Sequence, residues 1–321
     1  MKSISDYYKI IEKEIFNLNL PDSPEKLYSP IAYMLNIGGK RIRPILVLVA
    51  HQLYNPNFKN SLKAALAIEV FHNFTLIHDD IMDKAPLRRG VITVHEKWDK
   101  NTAILSGDVM LVESYKLLMS VDDNNLRTIL QVFNKAATEV CEGQQMDMNF
   151  ENRNDVSIEE YLKMIEYKTS VLLASSLKIG AINGGASKKQ ANLLYDFGKN
   201  MGIAFQLQDD LLDAFGDPHK FGKRVGGDII ANKKTFLYLM ALEKANKHLK
   251  LDLIKLYSAL NNTQKEVELV KNIFMDLEIP SETKKLIESY HQKALKTLNL
   301  IQSENKDPLI EFSNQLIQRN Y

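Results

Sequence analysis

Apolar residues recur three and four positions apart over most of this 321-residue chain. Such spacing places them on one face of an α-helix, and it predicts helices over residues 61–81, 103–119, 126–140, 159–182 and 190–215. Over the length of a strand, no segment alternates strictly between apolar and polar residues. The sequence therefore predicts an all-α fold, built as a single domain over residues 1–321 with ten or more helices.

Charge and composition indicate which kinds of partner and which cellular compartment the sequence favours. Lys and Arg number 41 and Asp and Glu number 40, so the net charge of +1 does not favour nucleic acid as a partner. The longest apolar run, near residues 44–50, is far too short to span a membrane. Cys141 is the single cysteine, which excludes an intrachain disulfide, and we expect it to be a buried, unreactive thiol. These features favour a cytoplasmic protein.

An acidic cluster, HDDIMD, ends the first long predicted helix. Asp79 and Asp83 are four residues apart, so their carboxylates share one face of the helix and repel each other. The neighbouring residues are apolar, and burial of two unpaired carboxylates is costly. A divalent cation removes that cost, and magnesium prefers hard oxygen ligands shared with substrate phosphates. Three acids at a solvated helix end are the alternative interpretation.

The same spacing recurs in QDDLLD, where Asp209 and Asp213 again lie four residues apart with Asp210 between them. Its surroundings are also apolar, and a chance repeat of this pattern in two apolar helices is improbable. If the two clusters face each other across a cleft, they can hold several metal ions around one diphosphate.

Cations follow each acidic cluster, and a further basic loop precedes both. The segment GGKRIRP combines a glycine pair, which allows close approach to an anion, with three cations. Arg88 and Arg89 follow the first acidic cluster. Lys223 and Lys233 follow the second, and Lys168 lies in an otherwise apolar helix. Each group alone is also compatible with a solvated surface, and no P-loop motif is present.

Together these motifs resemble those of the trans-isoprenyl diphosphate synthase family, which includes farnesyl, geranylgeranyl and longer-chain synthases. The resemblance covers residues 31–239, and its motifs occur in the family's order: GGKRIRP, HNFTLIHDDIMD, LRRG, GQQMD, KTS, FQLQDDLLD and FGKRVGGD. It implies an isoprenoid synthase-type helical bundle around a central cavity. Asn232 and Ser170 replace the family's frequent Gly and Ala, and neither change removes a charge.

The resemblance also implies a reaction and its ligands. Isopentenyl diphosphate would add to an allylic diphosphate (dimethylallyl, geranyl or farnesyl) in a homodimer that uses Mg²⁺, with three ions when substrate is bound. Asp79, Asp83 and Asp209 resemble the metal ligands, and Asp80, Asp210 and Asp213 resemble their supporting carboxylates. The isopentenyl diphosphate site would comprise Lys40, Arg43, His72 and Arg89. The allylic site would comprise Arg88, Lys168, Thr169, Gln206, Lys223 and Lys233.

Product length is implied by the residue five positions before the first aspartate motif. This residue is Phe74, with Thr75 beside it. Longer-chain relatives tend to have a small residue here, so Phe74 favours a C15 to C20 product. The motif lacks the two-residue insertion of many bacterial farnesyl synthases, which favours C20 geranylgeranyl diphosphate over C15 farnesyl diphosphate. On an ideal helix Thr75 projects nearer the Asp79 face, and a core phenylalanine is the alternative interpretation of Phe74.

Two other functions are compatible with such a helical chain. A class I terpene cyclase would share the fold and the first acidic motif, but the second aspartate motif and the residues Lys40, Arg43 and His72 are unlike that class. A non-catalytic modulatory subunit would lack part of an aspartate motif, and both motifs are complete here.

Overall fold

The computed structural model describes residues 3–216, 226–258 and 264–317, and these are almost entirely helical. The helices are α1 Ile4–Phe16, α2 Glu25–Asn36, α3 Ile42–Gln52, α4 Leu62–Met82, α5 Val94–Lys97, α6 Lys100–Leu118, α7 Asp123–Glu151, α8 Ile158–Ile165, α9 Val171–Asn183, α10 Lys188–Phe215, α11 Gly227–Ile230, α12 Phe236–Lys244, α13 Lys247–Ser258, α14 Gln264–Asp276, α15 Ile279–Asn299 and α16 Asp307–Ile317. A 3₁₀ turn, Phe58–Ser61, precedes α4. The predicted all-α class is confirmed.

Local sequence accounts for several helix boundaries. Ser3 caps α1 and Ser157 caps α8, each in a reciprocal capping box with the acidic residue three positions later. The side chain of Asp99 caps α6 by accepting from the backbone N–H of Thr102. Each box satisfies N–H groups that the first turn of a helix leaves without an intrahelical partner.

The chain divides into two compact units, and each is described by itself. Unit 1 contains residues 1–135, 175–195 and 301–308, and unit 2 contains residues 136–174, 196–300 and 309–321. The single-domain organisation expected from the sequence stays a prediction.

In unit 1, α4 is the central element. It packs against α2, α3 and α6, and most of its residues between Ala64 and Ile81 are buried. A helix that is apolar on most sides needs neighbours on most sides, which α4 has. In unit 2, buried residues of α8, α10, α12 and α15 form a common core.

A small hairpin departs from the all-helical expectation. Leu87–Arg88 pairs antiparallel with Val91–Ile92, and the turn between them is Arg89-Gly90. Both turn residues have positive φ, 53° and 76°, which is the geometry of a tight type I′ hairpin. The strands are too short for alternation to be visible in the sequence.

One smaller expectation is wrong. Cys141 is exposed on α7 rather than buried, because it lies on the polar face of that helix. The segment after Lys244 is rich in Lys and Glu, yet its residues Leu253, Val267 and Phe274 are fully buried in the core of unit 2. Amphipathic helices hide a narrow apolar stripe under a charged average composition. None of the described helices has the length and the apolar character needed to cross a membrane.

Candidate active site

The first aspartate motif forms the last turn of α4. The backbone N–H of Asp83 donates to the carbonyl oxygen of Asp79 at 2.9 Å, so the two residues lie one helical turn apart as predicted. The side chain of Asp80, in contrast, is buried, and the residue is only 2% exposed. Asp79 and Asp83 therefore supply the accessible carboxylates, whereas Asp80 belongs to the interior of unit 1.

Arg88 binds the buried Asp80 in a forked arrangement. Its Nε lies 2.9 Å from both carboxylate oxygens, and its Nη2 lies 2.7 Å from Asp80 and 3.5 Å from Asp79. Burial raises the pKa of the Asp80 carboxyl above its ordinary value, although the Arg88 guanidinium opposes that shift. Asp80 thus fixes the direction of Arg88 beside the carboxylate of Asp79.

Arg89 points from the same hairpin turn towards the glycine pair. Its guanidinium donates to the carbonyl oxygen of Gly38. A Cβ atom on Gly39 would lie 2.7 Å from the Arg89 Cζ, so a side chain at this position would displace the guanidinium. Tyr33 fixes the other strand by donating to the carbonyl oxygen of Ile92 at 2.7 Å. The hairpin thus brings Arg89 to the GGKRIRP loop.

Within that loop, Arg41 is structural and was not assigned a role from the sequence. It is buried, and its guanidinium donates to Glu12 at 2.6 Å, to Glu69 at 2.7 Å and to the carbonyl oxygen of Leu35 at 2.6 Å. Its left-handed backbone, with φ of 48°, begins α3. The two flanking cations are Lys40, which is exposed, and Arg43.

Arg43 contacts His72 of α4, and the two nitrogen atoms, Nη1 and Nε2, are 3.1 Å apart. Arginine only donates, so His72 accepts through Nε2 and its neutral ring carries the proton on Nδ1. Burial and the nearby arginines, Arg43 above all, hold the pKa of His72 well below its ordinary value. Burial also lowers the pKa of Arg43 to about 10. Three residues predicted for isopentenyl diphosphate are thus held in place within unit 1. Arg43 and His72 contact each other, and Arg89 binds at the glycine pair.

Phe74 and Thr75 follow His72 on α4. The Phe74 ring is buried and lies 4.8 Å from the His78 ring and 5.5 Å from the Phe71 ring, measured between centroids. Thr75 turns its hydroxyl inward to the carbonyl oxygen of His72 at 2.7 Å. Phe74 is therefore part of an aromatic cluster, and its role in product length stays a prediction.

The second aspartate motif lies in α10 of unit 2. Asp210 is buried and accepts hydrogen bonds from the Tyr161 hydroxyl and, at 3.0 Å, from Nε2 of Gln206. Burial raises the pKa of Asp210 to about 7, although both donors oppose the shift. Asp213 accepts from the backbone N–H of Asp228 at 2.8 Å. Asp210 and Asp213 are therefore held by unit 2, while Asp209 precedes them on the same helix.

Lys168 and Thr169 lie in a π-helical turn, Glu166–Ser170, between α8 and α9. Thr169 donates to Oε1 of Gln206 at 3.1 Å, so Gln206 links Thr169 to Asp210. Lys168 and Lys233 both contact the carboxylate of Asp147 on α7, at 2.6 and 3.3 Å. Lys223 lies outside the described residues.

Three of these partners had no assigned role from the sequence: Arg41, Tyr161 and Asp147. Asp147 belongs to the GQQMD motif, from which the sequence predicts no residue role. The sequence does place Gly143 and Asp147 four residues apart, so that they share one face of the helix. Tyr161 has no such signal, because a tyrosine on the apolar face of an amphipathic helix is ordinarily a core residue.

The donor set fits magnesium. Among the residues that the structure describes, no three His, Cys, Asp or Glu side chains are placed to hold a metal ion by themselves. Magnesium commonly takes one or two carboxylates and completes its shell with water and substrate phosphate. Asp79 with Asp83 on α4, and Asp209 on α10, are hard oxygen donors of this type.

The chain is similar to known proteins over most of its length. The polyprenyl synthetase family matches residues 24–277 of the chain. Geranylgeranyl diphosphate synthase of Methanosarcina mazei is 38% identical over 301 residues, which cover 93% of this chain and 91% of that protein. A crystal structure of geranylgeranyl pyrophosphate synthase matches with a TM-score of 0.95 and 45% identity, covering 100% of both chains.

Geranylgeranyl pyrophosphate synthetase from Pyrococcus horikoshii Ot3 matches with a TM-score of 0.92 and 33% identity, covering 98% of this chain and 97% of that one. Neither the terpene cyclase nor the modulatory subunit gains support from these similarities. The resemblance read from the motifs is confirmed, and the chain belongs to the polyprenyl synthetase family.

Proposed function

We propose that this prenyltransferase condenses isopentenyl diphosphate with an allylic diphosphate and makes a short-chain all-trans prenyl diphosphate. The observation that carries most weight is the hydrogen-bonded chain from Thr169 through Gln206 to Asp210. It joins Thr169, the neighbour of Lys168, to the second aspartate motif, so that the hydroxyl of Thr169 and the carboxylate of Asp210 are fixed relative to each other. An anion-binding group beside metal-binding carboxylates is what a diphosphate leaving group requires.

The allylic diphosphate is assigned to Arg88, Lys168, Thr169, Gln206, Lys223 and Lys233. Arg88 is supported in this role by its fork onto Asp80, which aims the remaining donors of the guanidinium. Isopentenyl diphosphate is assigned to Lys40, Arg43, His72 and Arg89. The neutral His72 ring supports that role. It holds Arg43 by accepting a hydrogen bond and, being uncharged, leaves the positive charge of Arg43 available to the anion.

Bound magnesium, three ions in this proposal, supplies Lewis-acid stabilisation of the diphosphate as its bond to the allylic carbon breaks. Asp79, Asp83 and Asp209 would hold it, while Asp80, Asp210 and Asp213 orient the surrounding groups. The arginines and lysines share the negative charge that develops on the leaving group. The buried apolar ring of Phe74 would help to exclude water from the allylic carbon. That both aspartate motifs serve one diphosphate stays a prediction.

The product is proposed to be C20 geranylgeranyl diphosphate rather than C15 farnesyl diphosphate. Two of the similar proteins, from Methanosarcina mazei and Pyrococcus horikoshii, are named as geranylgeranyl synthases, which supports this length. The buried Phe74 is consistent with a product that ends at a bulky side chain.

A homodimer is the proposed assembly. Leu105, Val112 and Met119 are exposed by 57%, 53% and 67%, and they are spaced seven residues apart along α6 and its C-cap. Residues seven apart lie on the same helix face, and an exposed apolar stripe of this kind favours burial against another copy. The cytoplasmic location stays a prediction from the sequence.

The deciding experiment incubates the protein with dimethylallyl diphosphate, isopentenyl diphosphate and magnesium, and sizes the dephosphorylated products by chromatography. We expect C20 as the main product. Asp79→Ala and Asp209→Ala should each lower turnover by more than about tenfold, about 1.4 kcal/mol of barrier. Turnover retained in both variants would contradict the metal assignment. Product formed from a C15 or C20 diphosphate alone would favour a cyclase instead.

A further inference from the structure

Helix α7 presents one face to the π-helical turn of unit 2. Gly143, Asp147 and Glu151 are spaced four residues apart and therefore lie along a single line of this helix. A Cβ atom on Gly143 would overlap the backbone nitrogen of Lys168 and would lie 2.8 Å from its Cα. The absence of a side chain at Gly143 thus lets the π turn lie directly on α7.

The π turn is held from a second side by α10. A Cβ atom on Gly202 would lie 2.6 Å from the Cα of Ser170, so this approach also requires glycine. The hydroxyl of Ser170 donates to the carbonyl oxygen of Ile165 at 3.3 Å, which satisfies a backbone acceptor at the start of the turn. Two glycines and one internal hydrogen bond therefore fix the backbone that carries Lys168 and Thr169. Such π turns are frequent at functional sites.

Asp147 lies where the two lysines meet. Its Oδ2 accepts from Nζ of Lys168 at 2.6 Å and from Nζ of Lys233 at 3.3 Å. Glu151 contacts only Lys233 of this pair, at 3.2 Å, and is exposed. Asp147 is 8% exposed, and although burial acts to raise the pKa of its carboxyl, the two ammonium groups hold that pKa below its ordinary value.

Two ammonium groups that share one oxygen atom would repel each other strongly if that oxygen carried no charge. Lysine side chains have flexible stems and would relieve the repulsion by swinging apart into water. We propose that Asp147 is a positioning residue for the allylic diphosphate: it holds Lys168 and Lys233 side by side so that both face the same anion. This inference rests on the proposed function, in which both lysines bind that substrate.

The test compares Asp147→Asn with Glu151→Gln, a matched loss of one carboxylate from the same helix face. Steady-state kinetics give the KM of each substrate, and thermal unfolding checks that both variants are folded. For Asp147→Asn we expect the KM of the allylic diphosphate to rise about tenfold while the KM of isopentenyl diphosphate changes less than about twofold. Glu151→Gln should change the allylic KM by less than about threefold.

Several results would overturn the proposal. An added positive charge by itself tightens anion binding, so a lowered allylic KM would mean that Asp147 only competes with the substrate. An equal rise in both KM values, or an equal effect of Glu151→Gln, would indicate a structural role. If Asp147→Asn does not fold, Asp147→Glu replaces it. That variant keeps the charge but displaces it, and an unchanged allylic KM would contradict positioning.

Failure of the proposed function is recognised separately. If the unaltered protein forms no prenyl product from any allylic diphosphate, the proposed reaction is wrong. Binding of inorganic diphosphate with magnesium, measured by calorimetry, then still compares the variants. Weaker binding in Asp147→Asn alone, by about tenfold, would support the positioning role, and equal binding in all three proteins would refute it.

Discussion

Arg41 and Glu69 form a buried ion pair in unit 1, with Nη1 and Oε1 2.7 Å apart and both side chains at most 4% exposed. Asn73, one turn further along α4, donates to the same Glu69 oxygen at 3.1 Å. Arg41 begins α3 immediately after Lys40 and two residues before Arg43. This pair thus links α4 to the basic loop, and it explains why one of the loop's three cations is not available to substrate.

Removal of one member of the pair should be costly. Glu69→Gln leaves Arg41 buried without full compensation, and we expect a loss of about 3–5 kcal/mol in the free energy of unfolding. Arg41→Met combined with Glu69→Gln should lose less than the sum of the two single changes, because the double variant buries no unpaired charge. Urea unfolding of the three variants measures these values. Additive losses would show that the pair does not act as a unit.

The protonation of Asp210 should contribute to the pH dependence of the free energy of unfolding. Its pKa is about 7 in the folded protein, because burial disfavours its charge, and near its ordinary value in the unfolded chain. Folding therefore takes up a proton here between about pH 4 and 7, and the stabilising contribution is lost as the pH rises through that window. In EDTA, the free energy of unfolding should fall more from pH 5 to pH 8 in the unaltered protein than in Asp210→Asn.

Other groups titrate in both proteins, so only the difference between them reports this site. Equal changes in stability for the unaltered protein and Asp210→Asn would mean that Asp210 is already ionised at pH 5. Tyr161→Phe provides a second comparison. Loss of its hydroxyl removes a donor that favours the ionised carboxylate, so the same pH change should cost Tyr161→Phe more than the unaltered protein.

A side chain that crowds the π turn should destabilise unit 2. In Gly202→Ala the new methyl group would lie 2.6 Å from the Cα of Ser170, a backbone atom that cannot move alone. We expect a loss of about 1–3 kcal/mol in the free energy of unfolding. Displacement of Thr169 should also break its contact with Gln206 and raise the allylic KM. Unchanged stability and kinetics would show that the turn shifts without cost.

Periodicity in the sequence was sufficient for the long helices between residues 61 and 215 and for the spacing of the aspartates on them. The five segments predicted from periodicity agree with α4, α6, α7, α10 and the continuous run from α8 through the π turn to α9 within three residues at their ends, except that α7 continues to Glu151, well beyond the predicted end at residue 140. Helical spacing also places Asp79 and Asp83 one turn apart, because that relation depends only on the local backbone. Local rules therefore fix which residues share a face.

What the sequence could not supply are contacts made between elements. The fork from Arg88 to Asp80 depends on a hairpin whose turn, Arg89-Gly90, lacks the usual asparagine or aspartate. The π turn inserts one residue and shifts which residues share a face, but the helix that follows it is buried on most sides, so the apolar pattern does not reveal the shift. Arg41 differs from Lys40 and Arg43 only in its tertiary partners. These are long-range features that single-sequence patterns do not encode.

Phe74 provides the test of product length. Its ring is 8% exposed and packs against His78 and Phe71, so Phe74→Ala should leave a cavity and lower the free energy of unfolding by about 3–5 kcal/mol. If the ring blocks the growing chain, that cavity should also admit a longer tail. We expect the main product to shift from C20 to longer prenyl diphosphates, as measured by chromatography of the dephosphorylated products.

A loosened core could lengthen the product without any direct contact, so a neighbouring ring serves as the control. Phe71 is also buried and contacts both Phe74 and Phe133. Phe71→Ala should lose similar stability but keep C20 as the main product, because its ring packs between other side chains three residues further from the aspartates. Phe74→Leu, which keeps most of the volume, should shift the product only slightly. Longer products from both alanine variants would remove Phe74 from this role and leave general core packing as the determinant of length.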